Sequence, residues 1–244
     1  MSLPFAGGSR PKTWDGYITQ ESDPPNDFLN SHSSFSSAIT TVETPAQLPH
    51  KFTMSRKRIR DIRNEELIEA TIVAVHQRGY GVVTMAEIAK EAGASAASIN
   101  YYFGSKEGLM EATMLHLLGK LRQAMIAGYA TARTPRERLY AVMDANFADG
   151  LFTVPQCSIW MQFWANAPYS TRLSRLHRIN RSRVRSHFLA ELRALLPAEQ
   201  VETARQALQC YMDGVWLQAA QAETALKPDA ARSAAHRVVD LVIP

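Results

Sequence analysis

Residues 84–109 read Thr84-Met85-Ala86-Glu87-Ile88-Ala89-Lys90-Glu91-Ala92-Gly93-Ala94-Ser95-Ala96-Ala97-Ser98-Ile99-Asn100-Tyr101-Tyr102-Phe103-Gly104-Ser105-Lys106-Glu107-Gly108-Leu109. Thr84 followed three residues later by Glu87 is a capping box, in which hydroxyl and carboxylate satisfy two helix-start N–H groups. Ile88, Ala89 and Ala92 give a short amphipathic helix, and Gly93 can adopt the left-handed geometry that ends it. Ser95 then caps a second short helix, Ala96 to Phe103. Two short helices joined by a glycine-containing turn form a helix-turn-helix. The second carries Ser98, Asn100, Tyr101 and Tyr102, which can hydrogen-bond base edges and phosphates. Ala96 and Ala97 are small enough to let the backbone approach a groove.

A helical hairpin alone is weak evidence, because all-helical cores contain many. Two neighbours sharpen it. Ser55 to Arg63 carries five cations (Arg56, Lys57, Arg58, Arg60, Arg63), the pattern of a phosphate-seeking arm just before the first helix. A solvated charge run is the blander reading of the same residues. Lys106 follows the second short helix, placed to meet a DNA backbone.

Outward from this segment the chain reads as helix after helix. Apolar residues recur at spacings of three and four, as in Ile68, Ile72 and Val75 or Leu109, Leu117, Leu121 and Met125. Glycine and proline breakers divide the chain into about nine helices, roughly 55–78, 85–92, 96–102, 105–130, 135–149, 156–166, 170–195, 198–225 and 228–242. The expected class is all-α. Residues 1–53 differ: three basic and five acidic residues lie in a stretch rich in Ser, Thr, Pro and Gly. Such composition predicts disorder, and it lacks the basic start and apolar run of a signal peptide. It reads as a passive extension, with Met54 able to serve as the initiator, or as a regulatory tail.

Composition closes other routes. The 244 residues are 46% hydrophobic and 20% charged, ordinary for a globular protein, and no apolar run is long enough to span a bilayer. Cys157 and Cys210 are too few and too isolated for a disulfide framework or a Cys-based zinc site, which suits a reducing, cytoplasmic setting. Both read as inert small hydrophobes. The histidines show no ligand spacing, and no nucleophile elbow, phosphate loop or catalytic carboxylate pair is present, so neither an enzyme nor a cofactor is expected.

The segment quoted above resembles the DNA-binding signature of the tetracycline-repressor (TetR) family. The markers are Thr84, Ile88-Ala89, Gly93-Ala94-Ser95, Tyr102-Phe103 and Ser105-Lys106-Glu107-Gly108-Leu109. The resemblance implies a homodimer with a three-helix DNA-binding domain (54–104) and a six-helix ligand-binding and dimerisation domain (105–244). It further implies Asn100 and Tyr101 in the groove, with Tyr102 and Lys106 at phosphate. Thr84, Ala96, Ala97 and Ser98 complete the expected DNA-contacting set.

Ala145-Asn146-Phe147, Trp160 to Ala165, Arg172 to Leu176 and Asp213 to Ala220 resemble the choline-responsive repressors of glycine betaine synthesis genes. That likeness implies release from a palindromic operator by choline; a family member answering another lipophilic cation or drug is the alternative. Physics permits the former. Trp160 and Trp164 lie four apart with Phe163 beside them, and Trp216 lies near Asp213. Aromatic faces attract quaternary ammonium groups, and Asp213 would add counter-charge, although aromatic residues at helical spacing are usually core. The seven arginines between Arg172 and Arg193 read as a solvated face or, alternatively, as a second nucleic-acid patch. Leu208, Tyr211, Met212, Val215, Ala219 and Ala222, with Val238, Val239 and Val242, form stripes suited to a four-helix dimer interface.

Overall fold

The computed structural model describes residues 51–243, with side chains from Ile62 onward. The extension expected over 1–53 lies outside these residues, except that 51–53 belong to the first helix. The helices are α1 (Lys51–Arg78), α2 (Met85–Glu91), α3 (Ala96–Phe103), α4 (Lys106–Thr131), α5 (Pro135–Asn146), α6 (Val154–Asn166), α7 (Thr171–Leu192), α8 (Ala198–Ala219) and α9 (Pro228–Val242). A 3-10 turn, Ala167–Tyr169, joins α6 to α7. No strand occurs among the described residues.

The basic run expected ahead of the first helix is part of it: the α1 backbone is helical from Lys51. From Leu67 onward α1 buries Leu67, Ile68, Ile72 and Val75, and it packs against α2, α4 and α6. The helix starts follow side-chain caps. Thr84, Ser95, Ser105, Thr134, Thr153 and Ser170 each accept a backbone N–H in the first turn that follows. The end of α2 is a Schellman motif: Ala94 N–H donates to Ala89 O (2.8 Å) and Gly93 N–H to Lys90 O (3.2 Å), with Gly93 at φ +57°.

Three expected helix ends move inward. α8 stops at Ala219 instead of 225, because of the next six residues 221 and 223–225 are exposed and offer little to bury. α5 ends at Asn146 and α7 at Leu192. The stripe expected to suit a dimer interface is split between buried and exposed positions. Leu208, Met212, Ala219 and Val239 are buried inside the chain, whereas Leu217 and Leu241 are exposed beside half-buried Tyr211, Val215, Val238 and Val242. α8 packs against α6, α7 and α9, and its Trp216 meets Trp160 of α6 edge-on. Cys157 is buried, its thiol pushed up to about 12 by desolvation, whereas Cys210 lies at the surface.

Candidate functional site

In the α2–α3 unit, α3 presents a small polar surface on a single buried residue. Ile99 is fully buried, and Ala97, Asn100 and Tyr101 project from the opposite face. Tyr101 is 84% exposed. Tyr102 packs edge-on to it at 5.4 Å between ring centroids, half-buried. Ala96 and Ser98 are half-buried, and Ser98 is bonded through N–H and hydroxyl to Ser95 Oγ. Thr84 is exposed, but its hydroxyl is engaged with Glu87 in the capping box. Glu87 in turn meets Arg78 at 2.8 Å, which ties α2 to the end of α1.

Lys106 sits differently from the sequence expectation. Its ammonium turns inward and donates to the carbonyls of Tyr80 (2.7 Å), Val83 (3.0 Å) and, more loosely, Gly81 (3.4 Å). It also lies 4.8 Å from the Tyr80 ring centroid. A compact ammonium has three donors, and here the α1–α2 loop occupies them. Lys106 is thus a clamp between the start of α4 and the loop that feeds α2.

A second site lies among α4, α6, α7 and α8. It is a cleft enclosing about 560 Å³, open solvent at its mouth included. Trp160, Trp164 and Trp216 wall it together, with Leu117 and Leu121 from α4 and Met212 from α8 as apolar lining. Trp160 meets Trp216 edge-on at 5.7 Å and Trp164 tilted at 6.3 Å. Phe163, expected in the same wall, is fully buried behind it, edge-on to Trp160 and to His177 at 5.7 Å each. It supports the wall without facing the cavity.

Asp213 lines the cavity, and desolvation raises its carboxyl above the ordinary range, opposed by nearby Arg181 and Arg205. Arg181 Nη1 lies 3.9 Å from Asp213 Oδ2. The six α7 arginines and Arg193 just after it are exposed as the solvated-face reading has it, yet Arg181 also lines the cavity mouth. His177 and Asn180 line it too, and with Arg181 and Val184 they mark one face of α7 at spacings of three and four. That spacing was legible in the sequence but hidden among the arginines. Burial and Arg181 push the His177 imidazole below its ordinary range, so it is neutral near pH 7.

The two sites share α6 and α4. On α6, Trp160 and Trp164 face the cavity, and between them Gln162 Oε1 accepts from Tyr80 N–H at 3.3 Å. Tyr80 therefore touches the ligand-side helix through its N–H and Lys106 through its carbonyl. A further tie joins α4 to the start of α7, where the Ser170 hydroxyl donates to Glu107 and Arg172 reaches Glu111 at 3.5 Å.

Two family models match the chain. Residues 67–113 match the model for bacterial regulatory proteins of the tetR family, and residues 135–244 match that for the BetI-type transcriptional repressor, C-terminal. The HTH-type transcriptional regulator BetI of Burkholderia lata is 36% identical over 191 residues, covering 78% of this chain and 98% of the relative. The regulator of that name from Burkholderia ambifaria is 35% identical with the same coverage. Among solved structures, a transcriptional regulator from Pseudomonas aeruginosa aligns at TM-score 0.62 and 25% identity, over 74% of this chain and 90% of that one. A regulator from Saccharomonospora viridis in complex with choline aligns at TM-score 0.62 and 20% identity, over 72% and 95%, a likeness of fold. These relatives are regulators and not enzymes, and among the described residues no helix is long and apolar enough to cross a membrane. With its helix-turn-helix unit followed by this cavity-bearing helical domain, the chain belongs to the TetR family and is a BetI-type transcriptional repressor.

Proposed function

We propose that the protein binds a palindromic operator as a homodimer in the cytoplasm and is released from it by choline. The observation that carries the choline reading is the triple-tryptophan wall with Asp213 beside it. A quaternary ammonium has no N–H to donate, so ring faces and one carboxylate are the recognition it can receive. The Saccharomonospora viridis neighbour, solved with choline, lends support. For the dimer, the support is the apolar surface on α8 and α9, with Leu241 82% exposed and Leu217 half exposed on adjacent helices. A two-fold pair predicts operator half-sites about one helical turn, or a multiple, apart.

Release follows from population shift: choline favours the conformer in which it touches more of the wall. A wall displaced along α6 moves Gln162, hence Tyr80 and the loop clamped by Lys106, hence α2 and α3. A gel-shift titration at fixed salt tests the proposal. Millimolar choline is expected to lower operator affinity at least about tenfold, a coupling of roughly 1.4 kcal/mol. If choline has no effect while another lipophilic cation releases the DNA, the site belongs to that cation.

On the DNA side, Asn100 and Tyr101 read bases from the exposed face of α3, while Ala97 admits the backbone to the groove. Thr84, Ala96, Ser98 and Tyr102 border that contact. Asn100→Ala should relax preference at one or two operator positions by about 1–3 kcal/mol, measured against a set of single-base operator variants. Lys106→Met should weaken all operator sequences alike. Because its ammonium is occupied by carbonyls, the slope of log affinity against log salt should stay unchanged. A slope lower by about one unit would return Lys106 to the phosphate backbone.

A further inference from the structure

The cavity wall holds two indole N–H groups that a simple cation cannot use. Trp160 Nε1 and Trp164 Nε1 are shut off from solvent and meet no partner in the protein, although both rings line the cavity; His177 Nδ1 is unpartnered too. An indole N–H can only donate, and a trimethylammonium head offers no acceptor. Asn146 and Gln209, which also line the cavity, are held elsewhere: Asn146 Nδ2 donates to Val142 O and Gln209 Oε1 accepts from Arg205. The charges carry the same message. Asp213, the counter-charge for an ammonium, already faces Arg181 at 3.9 Å, beyond hydrogen-bond length. A bare cation would meet the carboxylate and the guanidinium together.

We propose that the cavity has two poles and takes trimethylammonium carboxylates as an effector class, the ammonium against the tryptophan faces and Asp213, the carboxylate against Arg181 and the indole N–H groups. The inference rests on the quaternary-ammonium reading of the site and extends it to the other end of the ligand. Arg181 suits the second pole: its side chain is 54% exposed at the mouth, and a guanidinium can hold a carboxylate through two parallel N–H bonds. Choline would place a hydroxyl there, which can engage the indoles but leaves Arg181 without a charge to meet.

The test is tryptophan-fluorescence titration of the full chain, checked by calorimetry, with glycine betaine, carnitine, choline and tetramethylammonium as probes. At least one carboxylate is expected to bind no more weakly than choline and at least about tenfold more tightly than tetramethylammonium, which lacks any oxygen. Arg181→Gln should weaken the carboxylates about tenfold or more and leave choline within about twofold. Arg181→Lys should recover part of the loss, and thermal melting of both variants establishes that they fold. If choline binds and neither carboxylate does, the two-pole inference falls while the choline reading stands. If a carboxylate binds and choline does not, the inference stands and the choline reading falls. Equal weakening of choline and carboxylates by Arg181→Gln overturns the inference, because Arg181 would then act only by holding Asp213.

Discussion

Gly108→Ala should abolish high-affinity operator binding, though the substitution adds only one methyl group and lies outside the recognition helix. Gly108 occupies the first turn of α4, where its N–H donates to the capping hydroxyl of Ser105 at 3.0 Å. A Cβ built there would sit well inside van der Waals contact with the carbonyl oxygen of Phe103, and 3.4 Å from its carbonyl carbon. That obstacle is backbone, and it is the last residue of α3, so no side-chain rotation relieves it. Gly104 between them holds φ +72°, a conformation that other residues adopt only at a cost. The connection therefore has little freedom to give way. Overpacking of this kind costs about 1–3 kcal/mol, and α3 must shift as a body because Ile99 is its single buried anchor. The measurement is paired: thermal unfolding for stability and a shift assay for binding. Expected is a loss of operator affinity well beyond tenfold in a protein that still melts cooperatively. A variant binding like the parent would mean that α3 tolerates relocation.

The same segment shows which parts of the molecule the sequence could reveal. Thr84, Glu87, Gly93 and Ser95 act on atoms within five residues of themselves, so their caps and turns were readable before any tertiary contact was known. Trp160 and Trp164 were likewise linked by helical spacing. Trp216 and Asp213 joined them only through family resemblance, since nothing local relates residues some fifty positions apart. The placement of Phe163 and of Lys106 depends on packing that helical spacing does not express. Phe163 shares the broad face of α6 with Trp160, and only the packing of α7 decides which ring faces the cavity and which supports it. Lys106 is held by backbone carbonyls of Tyr80, Gly81 and Val83, and carbonyls are the one kind of partner that every residue supplies. α8 ends short of the expected 225 although Gln221 to Ala225 are adequate helix formers by propensity; what they lack is a buried face.

Trp164→Leu and Trp216→Leu should each weaken choline's release of the operator by several-fold to about tenfold, while operator affinity without choline stays near that of the parent. The physical separation rests on the ring. Core packing depends mainly on volume, but attraction of a quaternary ammonium depends on the electron density of the aromatic face, about 0.5–2 kcal/mol per contact according to desolvation. Loss of roughly 1 kcal/mol corresponds to about fivefold in affinity. The two positions differ in how cleanly they separate these effects. Trp216 is buried and edge-on to both Phe152 and Trp160, so its truncation also loosens the core. Trp164 is only half-buried and tilts against Trp160 alone among the tryptophans. Trp164→Phe therefore supplies the control, since it shortens the side chain yet keeps a ring. If the ring is what choline recognises, Trp164→Phe should retain most of the response that Trp164→Leu loses, with both variants melting within a few degrees of each other. Equal loss in the two would assign Trp164 to packing, and a parental response in folded Trp164→Leu and Trp216→Leu would remove choline from this cavity.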